Sequence, residues 1–207
     1  MYLVRTDGIV GPGRAAEFEK WWAGFGPLLK PHKGFQLAVL FNSLGYPARY
    51  TSLTRWDNVE AFRGFFKGGG LGAHIRAGTD FFTLVRPQEA YELVYRVGDP
   101  SVARGNCGIL VEFNINPRSA QAFESSRKEV LELRQKLVKG FVVSGLWRSP
   151  GTPTKYLVTQ AYTDRKAAEA ARTAPEVQAF MRAHPFTEYA DAPPTIEAYE
   201  LVQRIQP

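Results

Sequence analysis

The chain has 207 residues, of which 44% are hydrophobic, 13% aromatic and 22% charged. This composition is typical of globular proteins and excludes disordered, fibrous and membrane-spanning classes. The single cysteine, Cys107, excludes an internal disulfide and any site built from several cysteines. Lysine and arginine outnumber aspartate and glutamate by 26 to 20, and the resulting formal net charge of +6 favours anionic ligands.

The spacing of apolar residues predicts strands and helices in the same order in both halves of the chain. Apolar residues that recur every three or four positions predict amphipathic helices, and short apolar runs between turn formers predict strands. The first half is predicted to contain a strand at residues 2–10, a helix with apolar positions from 18 to 29, strands at 35–41 and 49–56, a helix from about 58 and a strand at 89–97. The second half is predicted to contain a strand at residues 108–115, a helix with apolar positions from 123 to 137, strands at 141–147 and 155–162, a helix from about 165 and a strand at 197–205.

The two halves also repeat each other in sequence. Residues 89–97 (EAYELVYRV) match residues 197–205 (EAYELVQRI) at an offset of 108 positions. Such self-similarity indicates a tandem repeat. A stretch rich in turn formers at residues 98–105 predicts a linker. The domain boundaries are therefore predicted at 1–98 for the first repeat and 106–207 for the second.

The order β-α-β-β-α-β predicts a ferredoxin-like repeat, in which both helices cover one face of a four-stranded antiparallel sheet. The other face of each sheet must also be covered. We therefore expect an α+β chain in which the two repeats pair their sheets as an intramolecular pseudo-dimeric α/β barrel, with further homo-oligomerisation left open.

Three sequence elements resemble the dimeric α/β-barrel superfamily, and within it the antibiotic-biosynthesis-monooxygenase type. Residues 54–62 (TRWDNVEAF) resemble the strand-to-helix junction of that family. A Gly-Phe pair occurs at residues 34–35 and 140–141, and an Ala-His pair at residues 73–74 and 183–184. The resemblance implies the fold predicted above for both halves, whereas it leaves the chemistry open. Members include oxygenases of polyketide-like aromatics, haem-degrading enzymes, isomerases and ligand-binding proteins.

The resemblance to oxygenases that need no cofactor implies an apolar pocket, a few hydrogen-bond donors and a base. His74 and Asp7 are the candidate catalytic residues, since either side chain can accept a proton in a suitable environment. Trp56 could stack on an aromatic ligand and Arg55 could bind a phenolate or carboxylate, although Trp56 could equally be a core residue. The remaining candidate substrate-binding residues are Phe65, Trp22, His184 and Tyr162.

The resemblance to haem-degrading members implies an alternative in which His74 is the axial ligand of haem iron. Those enzymes have a tryptophan about ten residues earlier in the same helix, where this chain has Phe65, and an asparagine on the first strand, where Thr6 or Asp7 lies. In the second half, Thr173 or a neighbour replaces the tryptophan. Haem ligation could therefore occur without haem degradation.

The leading hypothesis is a monooxygenase of this type that needs no cofactor and acts on a small aromatic or anionic compound. The alternatives are haem binding through His74 and a non-catalytic ligand-binding or stress-related module. The three scattered histidines have no zinc-site spacing, and the basic residues form no dense run, so we expect no metal and no nucleic-acid partner. The glycines of residues 67–72 (KGGGLG) lack a phosphate-binding signature and predict a flexible loop.

No secretion signal is recognisable at residues 1–7, and no membrane association is expected. The single cysteine is consistent with a reducing compartment. These features predict a cytoplasmic location.

Overall fold

The computed structural model describes residues 1–67, 71–99 and 105–207. Most of the predicted linker, at residues 100–104, and the three consecutive glycines of the predicted loop, at residues 68–70, lie outside the described residues. The described chain forms two compact units, one of residues 1–90 and 200–207 and the other of residues 91–199.

The first unit contains helices and strands in the predicted order, with one additional short strand. They are β1 (Tyr2–Val10), α1 (Ala15–Ala23), α2 (Gly26–Leu29), β2 (Phe35–Ser43), β3 (Arg49–Trp56), α3 (Val59–Phe66), α4 (Leu71–Ala77), β4 (Phe82–Leu84) and the start of β5 (Glu89–Gly98). Strand β3 pairs antiparallel with both β1 and β2, and β4 pairs with the other edge of β1. The order β2-β3-β1-β4 therefore places β1 and β3 side by side at the centre.

The second unit repeats this arrangement with a longer first helix. Its elements are β6 (Cys107–Asn114), α5 (Ala120–Leu137), β7 (Phe141–Arg148), β8 (Lys155–Tyr162), α6 (Arg165–Thr173), α7 (Pro175–Ala183) and β9 (Thr195–Ile205), with short 3₁₀ helices at Pro117–Ser119 and Phe186–Glu188. The antiparallel strand order is β6-β8-β7-β5. The predicted α+β class with two tandem ferredoxin-like repeats is confirmed.

The compact units differ from the sequence repeats in their closing strands. Most of β5, from Tyr91 onward, belongs to the second unit, where it pairs with β7. The end of β9, from Glu200 onward, belongs to the first unit. The sequence repeats keep each closing strand with its own repeat. The compact units differ from them because sequence similarity does not show which neighbour a strand packs against.

Each unit has its own apolar core between its sheet and its helices. In the first unit the core is rich in large rings, including Phe18, Trp22 and Trp56. In the second unit the corresponding core contains Phe113, Phe123, Tyr156 and Tyr189 together with aliphatic residues such as Leu131. No helix in the described part of the chain is long and apolar enough to cross a membrane.

The strand-to-helix junctions use the same capping interaction in both units. The side chain of Asn58 accepts a hydrogen bond from the Ala61 N–H at 2.9 Å at the start of α3, and Asp164 accepts one from Ala167 at 2.8 Å at the start of α6. Such caps satisfy N–H groups that have no partner within the helix.

The Gly-Phe pairs mark equivalent turns before β2 and β7. Gly34 has φ of +85° and Gly140 has φ of +92°, in the left-handed region that favours glycine. A Cβ atom at Gly34 would lie 2.7 Å from the Cβ of Ala61. The Gly34 carbonyl also accepts the Asp57 N–H at 2.8 Å. Backbone conformation and close packing therefore both require glycine here.

We expect Gly34→Ala to lower the free energy of unfolding by about 2 kcal/mol or more, because alanine is disfavoured at this φ and its methyl group meets Ala61. Gly64→Ala is the matched control, because Gly64 lies exposed in α3 with open space around it. It should raise stability by about 0.5–1 kcal/mol. Urea unfolding measures both changes. Equal changes in the free energy of unfolding would contradict the requirement for glycine at position 34.

Candidate functional site

The first unit contains a cavity of about 330 Å³ between its sheet and its helices. This volume lies at the lower end of the range for sites that bind small organic molecules. Its aromatic lining residues are Phe18, Trp21, Trp22, Phe25, Tyr50, Trp56, Phe62, Phe65, Phe66 and Phe82. The cavity is thus enclosed mainly by rings.

The rings of the lining pack against one another and hold the shape of the cavity. The ring centroids of Trp56 and Phe65 lie 5.4 Å apart, and Phe18 stacks on Phe82 with a centroid distance of 4.9 Å. Trp56 has no solvent exposure, and Trp22 and Phe65 are also buried. Such a closely packed shell is preorganised for a flat apolar ligand.

The central strands supply three hydroxyl groups to the floor of the cavity. Thr6 on β1 lies directly opposite Ser52 on β3, and Thr54 follows on the same face of β3. Each oxygen accepts one hydrogen bond: Thr6 from Gln88 at 2.9 Å, Ser52 from Trp22 Nε1 at 3.2 Å and Thr54 from Trp56 Nε1 at 3.0 Å. Each hydroxyl hydrogen can therefore be donated to a ligand.

Tyr50 is the ionisable residue in the described lining of the cavity. Its hydroxyl donates a hydrogen bond to the half-buried carboxylate of Glu19 at 2.8 Å. Burial and this hydrogen bond raise the pKa of Tyr50 well above its usual value. Tyr50 is therefore protonated at neutral pH, and its oxygen can still accept a hydrogen bond from a ligand.

Three of the sequence-predicted substrate-binding residues, Trp22, Trp56 and Phe65, line this one cavity. Arg55 does not, because neighbouring residues of a strand point to opposite faces of the sheet. Trp56 faces the cavity, so Arg55 faces away from it. Arg55 is therefore not part of the cavity lining, and its expected binding of a phenolate or carboxylate stays a prediction.

Asp7 also lies on the sheet face away from the cavity, because it directly follows the cavity-lining Thr6 in β1. It is 1% exposed and forms ion pairs with Arg5 at 2.8 Å and Arg86 at 2.5 Å. The Thr51 hydroxyl donates to it at 2.5 Å. Burial opposes the charge, but Arg5, Thr51 and Arg86 together hold the pKa of Asp7 below its usual value. These contacts give Asp7 a structural role in β1, and its expected role as a base stays a prediction.

His74 does not line the cavity but packs against Trp21, which does. Its Nε2 is hydrogen-bonded to the Trp21 carbonyl at 3.0 Å, and Trp21 Nε1 donates to the His74 carbonyl at 2.7 Å. Its ring stacks on Trp21 with a centroid distance of 5.4 Å. Since a carbonyl can only accept, Nε2 carries the hydrogen.

These contacts disfavour iron ligation through Nε2 of His74. The Nε2 atom donates to Trp21 and has no lone pair for iron, the lone pair of the ring lies on Nδ1, and the imidazole lies outside the cavity. His74 thus connects α1 and α4 through Trp21, and its expected roles as a base or an axial ligand stay predictions.

The two candidates from the second repeat lie apart from this cavity, in the second unit. His184 ends α7, where its N–H bonds to the Phe180 carbonyl and its ring packs on Phe180. Tyr162 is fully buried and donates to Gln160 at 2.6 Å. Burial raises the pKa of Tyr162 to about 12. Neither residue belongs to the site with Trp22, Trp56 and Phe65.

Sequence reasoning missed Tyr50, Ser52, Thr54 and Glu19 as site residues. The first three share the strand and the parity of Trp56, so their common face could have been read from the strand period. Glu19 could not, because its contact with Tyr50 depends on how α1 lies on the sheet. No cluster of three or more metal-ligating His, Cys, Asp or Glu residues occurs within residues 1–67, 71–99 and 105–207.

Comparison with known protein families gives one match in each repeat. The family model described as antibiotic biosynthesis monooxygenase matches residues 1–77 and 107–183. No curated protein sequence matches the chain significantly.

Comparison with solved structures shows the fold over nearly the whole chain. A candidate monooxygenase from Fusobacterium nucleatum matches with a TM-score of 0.82 and 9% identity, covering 99% of this chain and 94% of that one. An anthrone oxidase-like protein matches with a TM-score of 0.67 and 12% identity, covering 99% and 93%. A haem-degrading enzyme from Listeria monocytogenes matches with a TM-score of 0.54 and 10% identity, covering 97% and 99%. At these identities the likeness concerns the fold alone.

We expect Asp7→Asn to lower the free energy of unfolding at pH 7 by about 3 kcal/mol, because it removes the buried carboxylate that pairs with both Arg5 and Arg86. The folded-state pKa of Asp7 is lowered, so its contribution is present above the usual value of 3.8 and is lost as the pH falls below it. Urea unfolding at pH 7 and pH 3 should therefore show a difference that shrinks in acid. Exposed Asp80→Asn is the control, and a pH-independent difference would argue against this role.

We expect a haemin titration followed by absorbance to give no Soret shift that depends on His74, because its Nε2 is bonded to the Trp21 carbonyl. His74→Ala and His184→Ala should titrate like the unmodified chain. A stoichiometric Soret shift that His74→Ala abolishes would overturn this interpretation.

Proposed function

Because the chain belongs to the antibiotic biosynthesis monooxygenase family through both of its repeats, we propose that it is a monooxygenase acting on a small aromatic compound in the first unit. The observation that carries the proposal is the ring-lined cavity of about 330 Å³ with hydroxyl groups on its floor. Its shape and apolar walls suit a flat ring system, and its hydroxyl groups suit a ligand that carries oxygen.

The ligand is proposed to enter without charge. The described residues that line the cavity include no Lys, Arg, His, Asp or Glu. Burying an ionised ligand there would be costly, because no opposite charge is present to compensate its lost hydration. Of the aromatic or anionic compounds expected from sequence, the cavity therefore favours the neutral aromatic ones.

Tyr50 and Glu19 are proposed to remove a proton from the bound compound. A ligand CH₂ group that a conjugated carbonyl acidifies, or the hydroxyl of the enol tautomer, can pass a proton to Tyr50 Oη while the tyrosine proton moves to Glu19. No phenolate has to form on Tyr50, which is consistent with its raised pKa. Glu19 is half-buried in the middle of α1 and can release the proton to water. This proton relay from the ligand through Tyr50 to Glu19 depends on the alignment of the three groups rather than on a strongly basic side chain.

The hydroxyl groups of Thr6, Ser52 and Thr54 are proposed to stabilise the resulting ligand anion. Fixed donors in an apolar cavity interact with developing charge more strongly than the same groups do in water. The anion then reacts with molecular oxygen, and a ring CH₂ group becomes C=O while the second oxygen atom leaves as water. The substrate supplies all the electrons, so we propose a reaction without a cofactor.

The first test uses anthrone, a neutral compound of three fused rings, chosen because an anthrone oxidase-like protein shares the fold. Three of the four tryptophans, Trp21, Trp22 and Trp56, line the cavity, so bound anthrone should quench tryptophan fluorescence. Trp147→Phe removes the tryptophan of the second unit and should leave the quenching in place. Loss of quenching in Trp147→Phe would show that anthrone binds elsewhere.

The second test measures oxygen consumption and quinone formation with anthrone. Tyr50→Phe and Glu19→Gln should each lower kcat about 100-fold, because they interrupt the relay, while quenching by anthrone persists. The matched controls are Tyr156→Phe and Glu124→Gln, since Tyr156 donates to Glu124 in the second unit as Tyr50 does to Glu19. Equal losses of kcat in both pairs of variants, or no protein-dependent oxygen consumption, would contradict the proposal.

The cytoplasmic location stays a prediction.

A further inference from the structure

The second unit carries arginines where the first unit has cavity-lining side chains. The first helices of the two repeats align at Phe18 and Phe123, an offset of 105 residues. At this offset Trp22 corresponds to Arg127 and Leu29 to Arg134. Both arginines lie in α5, seven residues apart, and therefore on the same side of the helix about two turns apart.

Arg127 is a buried cation that has no carboxylate partner among the described residues. Its side chain is 4% exposed, and its guanidinium lies over the rings of Phe113 and Phe123 at 5.8 and 5.5 Å from their centroids. Its polar contacts are Nη2 with Ser126 Oγ at 3.0 Å and Nη1 with Met181 Sδ at 3.7 Å. Its Nε has no hydrogen-bond partner.

Arg134 is a second, half-buried cation on the same side of α5. Its Nη1 donates to Gln160 Oε1 at 3.3 Å, and the same oxygen accepts the Tyr162 hydroxyl at 2.6 Å. Its Nε also lacks a hydrogen-bond partner. The described residues form no ion pair with either arginine. Glu124, which lies three residues before Arg127 in α5, binds Tyr156 and Arg148 instead.

The two guanidinium groups therefore bring uncompensated positive charge into the core of the second unit. Burial and the neighbouring Arg134 lower the pKa of Arg127 to about 10, which still leaves it charged at neutral pH. A buried charge without a partner is strongly destabilising. Guanidinium N–H groups match the geometry of carboxylate and phosphate oxygens.

We propose that the second unit binds a small oxyanion, a carboxylate or a phosphate group, through the guanidinium groups of Arg127 and Arg134. Uncharged polar groups surround these cations, contributed by Ser126, Gln160 and Tyr162. The two repeats thus differ in the ligand they accept: an uncharged aromatic compound in the first unit and an anion in the second. This inference rests on α5 and β8 and does not depend on oxygenase activity.

The experiment measures the Tm of the full chain with sodium phosphate, with sodium benzoate and with sodium chloride at matched ionic strength. An anion bound only by the folded state stabilises it, and we expect Tm to rise by about 5 °C at 100-fold above Kd. A rise with phosphate identifies a phosphate-type ligand, and a rise with benzoate identifies a carboxylate. Isothermal titration of the effective anion should give one site per chain.

The variants Arg127→Met and Arg134→Met should each abolish the anion-dependent rise, while Arg182→Met, which alters an exposed arginine of α7, should retain it. Without added anion, Arg134→Met should be at least as stable as the unmodified chain, because it removes a buried charge that lacks a partner. If Arg127→Met does not fold, the anion-dependent change in Tm of Arg134→Met tests the proposal by itself. A rise that chloride produces equally, or one that persists in Arg134→Met, would overturn the proposal.

Discussion

Successive side chains of a β-strand point to opposite faces of the sheet, and this alternation organises the first unit. On the central strands, Thr6, Ser52, Thr54 and Trp56 face the cavity. Asp7, the neighbour of Thr6, faces the other way and is neutralised by two arginines. The sheet thus keeps fixed charges away from the apolar cavity while its hydroxyl groups stay in contact with it.

The two units share a framework but differ in what it encloses. Both begin a helix with a side-chain cap, at Asn58 and Asp164, and both have a glycine with positive φ before the hairpin. Both also bond a strand tyrosine to a glutamate of the preceding helix. These common interactions stabilise the fold, so the differences between the units lie in the side chains between sheet and helix.

Those differences separate apolar from charged surroundings. In the first unit, Trp22 contributes a ring and an indole N–H that binds a floor hydroxyl. At the equivalent position of the second unit, Arg127 contributes a cation that lies on two phenylalanine rings. A ring-lined cavity excludes ions because it cannot replace their hydration, whereas buried guanidinium groups require an anion for the same reason. Duplication therefore yields two chemically different environments on one fold.

The sequence by itself determined the order of the elements, the tandem repeat and the fold class, because these depend on local periodicity and on internal similarity. It also pointed to Trp22, Trp56 and Phe65, whose apolar bulk predicts burial beside a sheet. Only the tertiary structure decided that Asp7 and Arg55 face away from the cavity and that His74 bonds to Trp21. It also brought Glu19 to Tyr50 across 31 positions. Such roles depend on which groups meet across elements, and local patterns do not encode those distances.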